Sequence, residues 1–287
     1  MPIDYERLKA RAFAPIVQTY ATRDTILYAL GIGLGRDPLD SDQLRFTFEE
    51  AEGFAALPTM PVVLGTPGFW AREPDTGITW QKVLHGEQGF TLHAPLPPAA
   101  TITATNRIVD IIDKGADKGA LIYIEREITD ESTGQRLATN TSTIFARGDG
   151  GFGGPSGPVK PVHTLPDRAP DAAMDWRVAP EAALIYRLSG DPNPLHAAPE
   201  VAAAAGFKAP ILHGLCTLGI AGWAVLKTVG GADASRLKSL DLRFSAPVTP
   251  GETVRTEMWR DGHVVSFRAR VDDRVVLNNG KAVITEG

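Results

Sequence analysis

The two halves of this chain repeat one another across a stretch that resists both helix and sheet. From Gly148 to Pro170 glycine and proline crowd together, as in Gly150-Gly151-Phe152-Gly153-Gly154-Pro155. Proline cannot donate to a central ladder, and glycine weakens helix and strand alike. The segments flanking this break correspond at a constant offset of 152 residues. Ala94-Pro95-Leu96-Pro97-Pro98-Ala99-Ala100-Thr101-Ile102 is matched by Ala246-Pro247-Val248-Thr249-Pro250-Gly251-Glu252-Thr253-Val254, with Ala, Pro, Pro and Thr recurring. Strand-like runs follow in the same order, at 101–112, 121–127 and 138–146, then at 253–259, 264–271 and 275–284. Turns such as Asp261-Gly262 separate them,. A duplicated antiparallel unit is therefore expected: a first half over 1–147, a linker over 148–175 and a second half over 176–287.

The second half contains one clear helix, 215–229, with Leu218, Ile220, Trp223, Val225 and Leu226 spread around its circumference. A helix apolar on every side is a buried one. A buried helix wrapped by antiparallel strands gives an α+β fold. In the first half, Leu84-His85-Gly86 resembles the Leu212-His213-Gly214 that precedes this helix, but no helix fits between it and Ala94. The first half therefore lacks its central helix there or places it earlier.

The net charge of −5 argues against a general nucleic-acid binder,. Cys216 is the sole cysteine, so no internal disulfide can form,. With no second cysteine and no tight histidine cluster in the sequence, no metal site is expected. Residues 1–14 interleave charges with short apolar pieces, unlike a secretory signal,. No run of about 18 apolar residues exists for a membrane span. Cytoplasmic placement is the default expectation.

Two segments concentrate chemistry. Tyr186-Arg187-Leu188-Ser189-Gly190-Asp191-Pro192-Asn193-Pro194-Leu195-His196 combines a glycine turn with two prolines that fix the backbone,. It presents Asp191, Asn193 and His196 on a stiff loop, as acid–base catalysis requires. An Asx turn leading into a helix is the plain structural alternative. Ala209-Pro210-Ile211-Leu212-His213-Gly214-Leu215-Cys216-Thr217 leads into the buried helix. A helix N-terminus offers unpaired N–H groups and a favourable dipole. Gly214 would let a substrate oxygen approach that backbone, as in an oxyanion hole, or it is simply a helix cap.

Taken in order, these motifs resemble the MaoC-like (R)-specific enoyl-CoA hydratases, the hydratase 2 family. The closer likeness is to the hydratase portion of peroxisomal multifunctional enzyme type 2. Besides the two segments above, it rests on Arg23-Asp24-Thr25-Ile26-Leu27-Tyr28-Ala29-Leu30-Gly31-Ile32-Gly33, Leu84-His85-Gly86-Glu87-Gln88, Asp113-Lys114-Gly115, Gly151-Phe152-Gly153-Gly154 and Gly206-Phe207. It spans almost the whole chain. The resemblance implies a double hot-dog fold, two antiparallel sheets each associated with a helix, with only the second half catalytic. Gly33 stands where Asp191 stands in the second half. The reduced first half is then expected to accommodate the acyl chain.

By the same resemblance, Asp191 and His196 form the catalytic pair, Asn193 orients the water or the pair, and the Gly214 N–H stabilises the enolate. His85, Gly86, Lys114 and Phe244 match positions along the CoA and acyl path. Lys114 equally sits in a turn, and Phe244 equally suits core packing. His213 reads as structural, or as a contact to CoA. His93, His163 and His263 read as ordinary surface or turn residues. The implied partner is an acyl-CoA thioester rather than a carrier-protein thioester. No cofactor is implied, and the assembly implied is a homodimer. The sequence carries no dehydrogenase or sterol-carrier segment, so a stand-alone hydratase is expected.

Two departures bear on specificity: Ala197-Ala198-Pro199 follows the histidine where an acidic residue is usual, and Pro192 replaces an aromatic. Chain-length preference is therefore not carried over. The rivals are a dehydratase for a branched, aromatic or steroid-derived acyl-CoA, a hot-dog thioesterase, which has no need of this loop, and a non-catalytic acyl binder, which would be expected to lose Asp191 or His196.

Overall fold

A computed structural model describes residues 2–285. Ten strands are present: β1 Ile16–Tyr20, β2 Val83–Leu92, β3 Ala100–Asp113, β4 Ala120–Asp130, β5 Arg136–Ala146, β6 Ala172–Arg177, β7 Leu237–Phe244, β8 Thr253–Asp261, β9 Val264–Val271 and β10 Arg274–Ile284. The helices are α1 Tyr5–Lys9, α2 Thr22–Gly31, α3 Ser41–Thr47, α4 Ala182–Tyr186, α5 Pro199–Ala204 and α6 Gly214–Gly230.

The six strands read from the sequence are present, five of them slightly longer than their apolar runs and β9 matching its run in extent. They alternate as half-buried strands do: β4 buries Ile122, Ile124 and Ile128 and turns Tyr123, Glu125 and Glu127 outward. Each half has five strands rather than three. The added ones are β1, β2, β6 and β7, and in β1, β2 and β6 the alternation is short or broken. β6 begins inside the segment read as linker.

The two expected sheets are joined into one, in the order β1-β3-β4-β5-β2-β7-β10-β9-β8-β6. The second five strands repeat the first in reverse, so the halves are related by a two-fold axis at the antiparallel β2–β7 seam. Gly89 pairs with Asp241 at its centre. Those two residues are 152 apart, the same offset that relates the two proline-containing segments.

α6 is the central core element, with Leu218, Ile220, Trp223, Val225 and Leu226 all buried. Each such side chain contributes roughly 1.5–3 kcal/mol by burial. The helix stops where Gly231 takes a left-handed φ of +62°,. Its glycines admit the first half: a Cβ at Gly219 would meet Ile32 and Tyr28, and one at Gly222 would meet Thr59.

The first half has no counterpart of α6. A buried stretch over 59–65, with one 3₁₀ turn at Met60–Val63, takes its place. The likeness of Leu84-His85-Gly86 to the α6 start is not structural, because those residues lie on β2.

The glycine-rich linker is pinned by one carboxylate. Asp113 accepts the N–H groups of Gly115, Gly151 and Gly153 at 2.7–2.9 Å. The chain then crosses the outer sheet face, where His163 bonds Ser266 Oγ at 2.8 Å. No described helix is long and apolar enough to cross a membrane.

Candidate active site

Three segments meet at the N-terminal end of α6. The first is the loop between α4 and α5. Gly190 adopts φ +117°, a region that strains any side-chain-bearing residue,. Asp191 Oδ1 accepts the Asn193 N–H at 3.2 Å, and Asn193 Oδ1 accepts the Leu195 N–H at 3.1 Å. These successive turns, with Pro192 and Pro194, hold the loop without a ladder. The Asx turns and the presentation of these polar groups are thus one arrangement. Asn193 itself is exposed, and its carbonyl oxygen is engaged by the cap, which leaves only its amide donors for other work.

His196 ends the loop, buried, with Nδ1 2.8 Å from the Ile211 carbonyl oxygen. A ring nitrogen facing a carbonyl carries the proton, so Nδ1 donates and Nε2 keeps its lone pair. Burial lowers the His196 pKa, while the Ile211 bond and the nearby Asp191 act in the opposite direction. The ring is therefore neutral at pH 7 and fit to accept a proton.

His213 occupies the N-cap position of α6, and only 1% of it is exposed. Its ring stacks on His196, with centroids 3.8 Å apart and planes 27° apart. Its Nε2 donates to the Asp191 backbone oxygen at 3.2 Å, while Nδ1 is buried without a protein partner. Burial first, then His196, pushes its pKa down to about 4. The nitrogens of these two histidines and an Asp191 oxygen lie within 4.8 Å of one another. His213, read as structural or as a CoA contact, stands beside Asp191 and His196, and the two rings form a tight histidine contact that the linear sequence does not display. The position of His213 directly before Gly214 was the available signal. Ions need converging lone pairs, whereas these rings lie face to face with one nitrogen each already bonded.

Gly214 is the first residue of α6. Neither its N–H nor that of Leu215 meets a protein acceptor among the described residues. Phe244, at the end of β7, lies over it: a Cβ at Gly214 would sit 3.1 Å from the ring. That ring packs on His85, with centroids 4.8 Å apart. Gly86 marks the bulge in the β2–β5 register between His85 and Glu87, which re-aims His85 toward Phe244. His85 is crowded by neighbouring protein atoms yet keeps solvent-exposed surface. That crowding pushes its pKa down to about 4, and its Nε2 lies 3.1 Å from Gln88 Oε1. His85, Gly86 and Phe244 thus join Gly214. Lys114 does not: it is exposed on the β3–β4 turn, at the same end of the sheet but two strands beyond β2.

The site offers a neutral imidazole lone pair, a carboxylate with one oxygen uncommitted, and two free N–H groups at a helix N-terminus. Bases beside an oxyanion cradle suit proton transfer and addition next to a carbonyl.

Comparison with known proteins agrees in extent. The model of the MFE-2 hydratase 2 N-terminal domain matches residues 18–148, and that of the MaoC like domain matches residues 161–280. A 3-hydroxyacyl-thioester dehydratase Y of Mycobacterium tuberculosis is 41% identical, over 95% of this chain and 96% of its own length. A probable enoyl-CoA hydratase 2 of Dictyostelium discoideum is 38% identical, over 99% of this chain and 97% of its own. The crystal structure of a MaoC-like dehydratase from Phytophthora capsici superposes with a TM-score of 0.89. It is 35% identical, over 99% of this chain and 98% of that one.

Proposed function

The chain belongs to the MaoC-like hydratase 2 family, and from that premise we propose that it is an (R)-specific 2-enoyl-CoA hydratase. The reaction is the reversible syn addition of water to trans-2-enoyl-CoA, giving (R)-3-hydroxyacyl-CoA. The observation that carries the reading is the convergence of Asp191, His196 and the Gly214 N–H at one helix terminus.

His196 Nε2 and the free Asp191 oxygen hold one water between them. As the water oxygen bonds to C3, its proton passes to this pair, and the C2–C3 π electrons move toward the thioester. The resulting enolate oxygen lies against the Gly214 N–H, where the helix dipole favours negative charge. A proton from the same pair then reaches C2 on the same face. One water is consumed, no redox change occurs, and no cofactor or metal enters. His85 and Phe244 line the thioester path. Lys114, with its charge at the same end of the sheet, would meet CoA phosphate beyond it. The reading extends by family likeness to a homodimer, which light scattering at twice the chain mass would support.

The test is hydration of crotonyl-, decenoyl- and a branched or aromatic enoyl-CoA with chiral analysis, for wild type and Asp191→Asn. The expected result is an (R)-3-hydroxy product whose formation drops at least ~100-fold in the variant. Release of free CoA with no hydration would replace this reading with a thioesterase.

A further inference from the structure

The inner face of β4 carries a charge that no described acidic residue answers. Arg126 points inward among Ile122, Ile124 and Ile128, with only 9% of its surface exposed. Its one hydrogen bond runs from Nη2 to the Val62 carbonyl at 2.9 Å. Its Nε is buried without a partner. Nη1 meets no acceptor but is not sealed from solvent. No carboxylate lies within ion-pair distance among the described residues, and burial alone pulls its pKa down to about 10. A lone buried cation is costly, and such groups are ordinarily paired.

Support of the 59–65 stretch does not require that charge. Asn106 and Asn140 flank Arg126 in register on β3 and β5. Asn140 bonds the Pro61 carbonyl at 2.8 Å, and Asn106 reaches that of Gly65 at 3.4 Å. Neutral amides thus hold the neighbouring carbonyls. A guanidinium at the middle position supplies something more: donors and a positive charge for an anion that arrives from outside.

The direction of arrival follows from the site. His85 packs on Phe244 beside Gly214, and the charges of Asp191 and Arg126 both act on it, in opposite directions. His85 registers with Ile144 on β5, and Ile144 with Ile122 on β4. Arg126 lies two strands away and four residues further along, about 10 Å across the sheet and about 13 Å along it. A distance of that size is within the reach of a medium or long acyl chain whose thioester oxygen lies at Gly214.

We propose that Arg126, with Asn106 and Asn140 beside it, binds a carboxylate at the distal end of the acyl chain, making enoyl-CoA esters of dicarboxylic acids the preferred substrate class. The proposal rests on the hydratase reading for its reaction, but not for its binding step.

The experiment pairs trans-2-enoyl-CoA esters of equal length ending in methyl or carboxylate, over short to long chains. In the wild type, kcat/KM favours the carboxylate partner by ~10-fold or more at the matching length, the scale of charge-assisted hydrogen bonds. Arg126→Met inverts that ratio, and Arg126→Lys retains part of it. Calorimetric binding of the saturated acyl-CoA pairs is measured alongside. A carboxylate preference in binding with no hydration of either ester would sink the hydratase reading and sustain this one. Equal or weaker wild-type binding of the carboxylate-ended ester at every length overturns it, whatever the variants do.

Discussion

His196 can accept a proton only while neutral and only through Nε2, and its surroundings secure both conditions. The Ile211 carbonyl holds the proton on Nδ1, and burial keeps the pKa below the ordinary 6.5. Protonation removes the base, so kcat/KM should stay level from neutral pH down through 6.5 and fall only at more acidic values. A pH–rate profile with its acid limb at or above 6.5 would mean that a more exposed group is the base. Stability follows the same sign. With folded-state values lowered, His196 and His213 bind protons more readily when unfolded. Their stabilising effect, complete above pH 6.5, is lost as pH falls through the folded values. Gly214 makes a separate demand. A methyl group there lies 3.1 Å from Phe244, close enough to displace the ring and block approach to the N–H. Alanine also favours helix over glycine, by roughly 1 kcal/mol in a helix interior and less at this end. Gly214→Ala should therefore lower kcat/KM about 10- to 100-fold with no fall in Tm. A parallel loss of Tm would mark Gly214 as merely structural.

The β2–β7 pair is the element that turns two half-sheets into one. At its centre a Cβ on Gly89 would overlap Asp241 Oδ1 and press on Thr141 Oγ1. Gly89→Ala should cost about 1–3 kcal/mol by overpacking, measured by denaturant unfolding. Because Asp241 is the nearer obstacle, Asp241→Ala should recover part of that loss, with a coupling of ~1 kcal/mol in the double-mutant cycle. Strict additivity would place the strain elsewhere. The seam also marks where the sequence was opaque. α6 and the six long strands were legible because apolar residues kept one period through them. β2 was not, since Gly86 bulges and Gly89 carries no side chain, so its alternation breaks. β6 is six residues long and ends on Trp176 and Arg177, and β1 has five residues. β7 does alternate, but it follows α6 closely and merged with its connection. At the site, Asp191, Asn193, His196 and Gly214 could be found because each lies within a constrained local run. The stacking of His213 on His196, and Arg126 standing alone between two asparagines, arise only from pairing across distant strands and loops.

At the scale of the molecule, duplication has not left two independent units. The helix α6 belongs to the second half, but its glycines Gly219 and Gly222 face Ile32, Tyr28 and Thr59 of the first. Trp176 donates from β6 to the Ile32 carbonyl at 3.1 Å, and Tyr28 and Tyr186 pack together, one from each half. Phe90 of β2, Leu237, Leu240 and Leu242 of β7 and Leu218, Ile220, Trp223, Val225 and Leu226 of α6 belong to one continuous core. A second half on its own would expose the flank of α6 and the edge of β7, a surface that invites aggregation. The stretch that links the halves is by contrast mostly exposed from Pro155 to Val162. A cut there removes no core contact and takes away only the high effective concentration of a tether. Residues 1–158 and 159–287 expressed separately should therefore be insoluble or unfolded, while the co-expressed pair should copurify as one complex. That complex should hydrate enoyl-CoA at a rate near that of the intact chain and unfold in one transition, at a midpoint that rises with concentration. A second-half fragment that folded alone and turned over substrate would show instead that Asp191, His196 and Gly214 need nothing from the first half, and His85 would lose its place in the reaction.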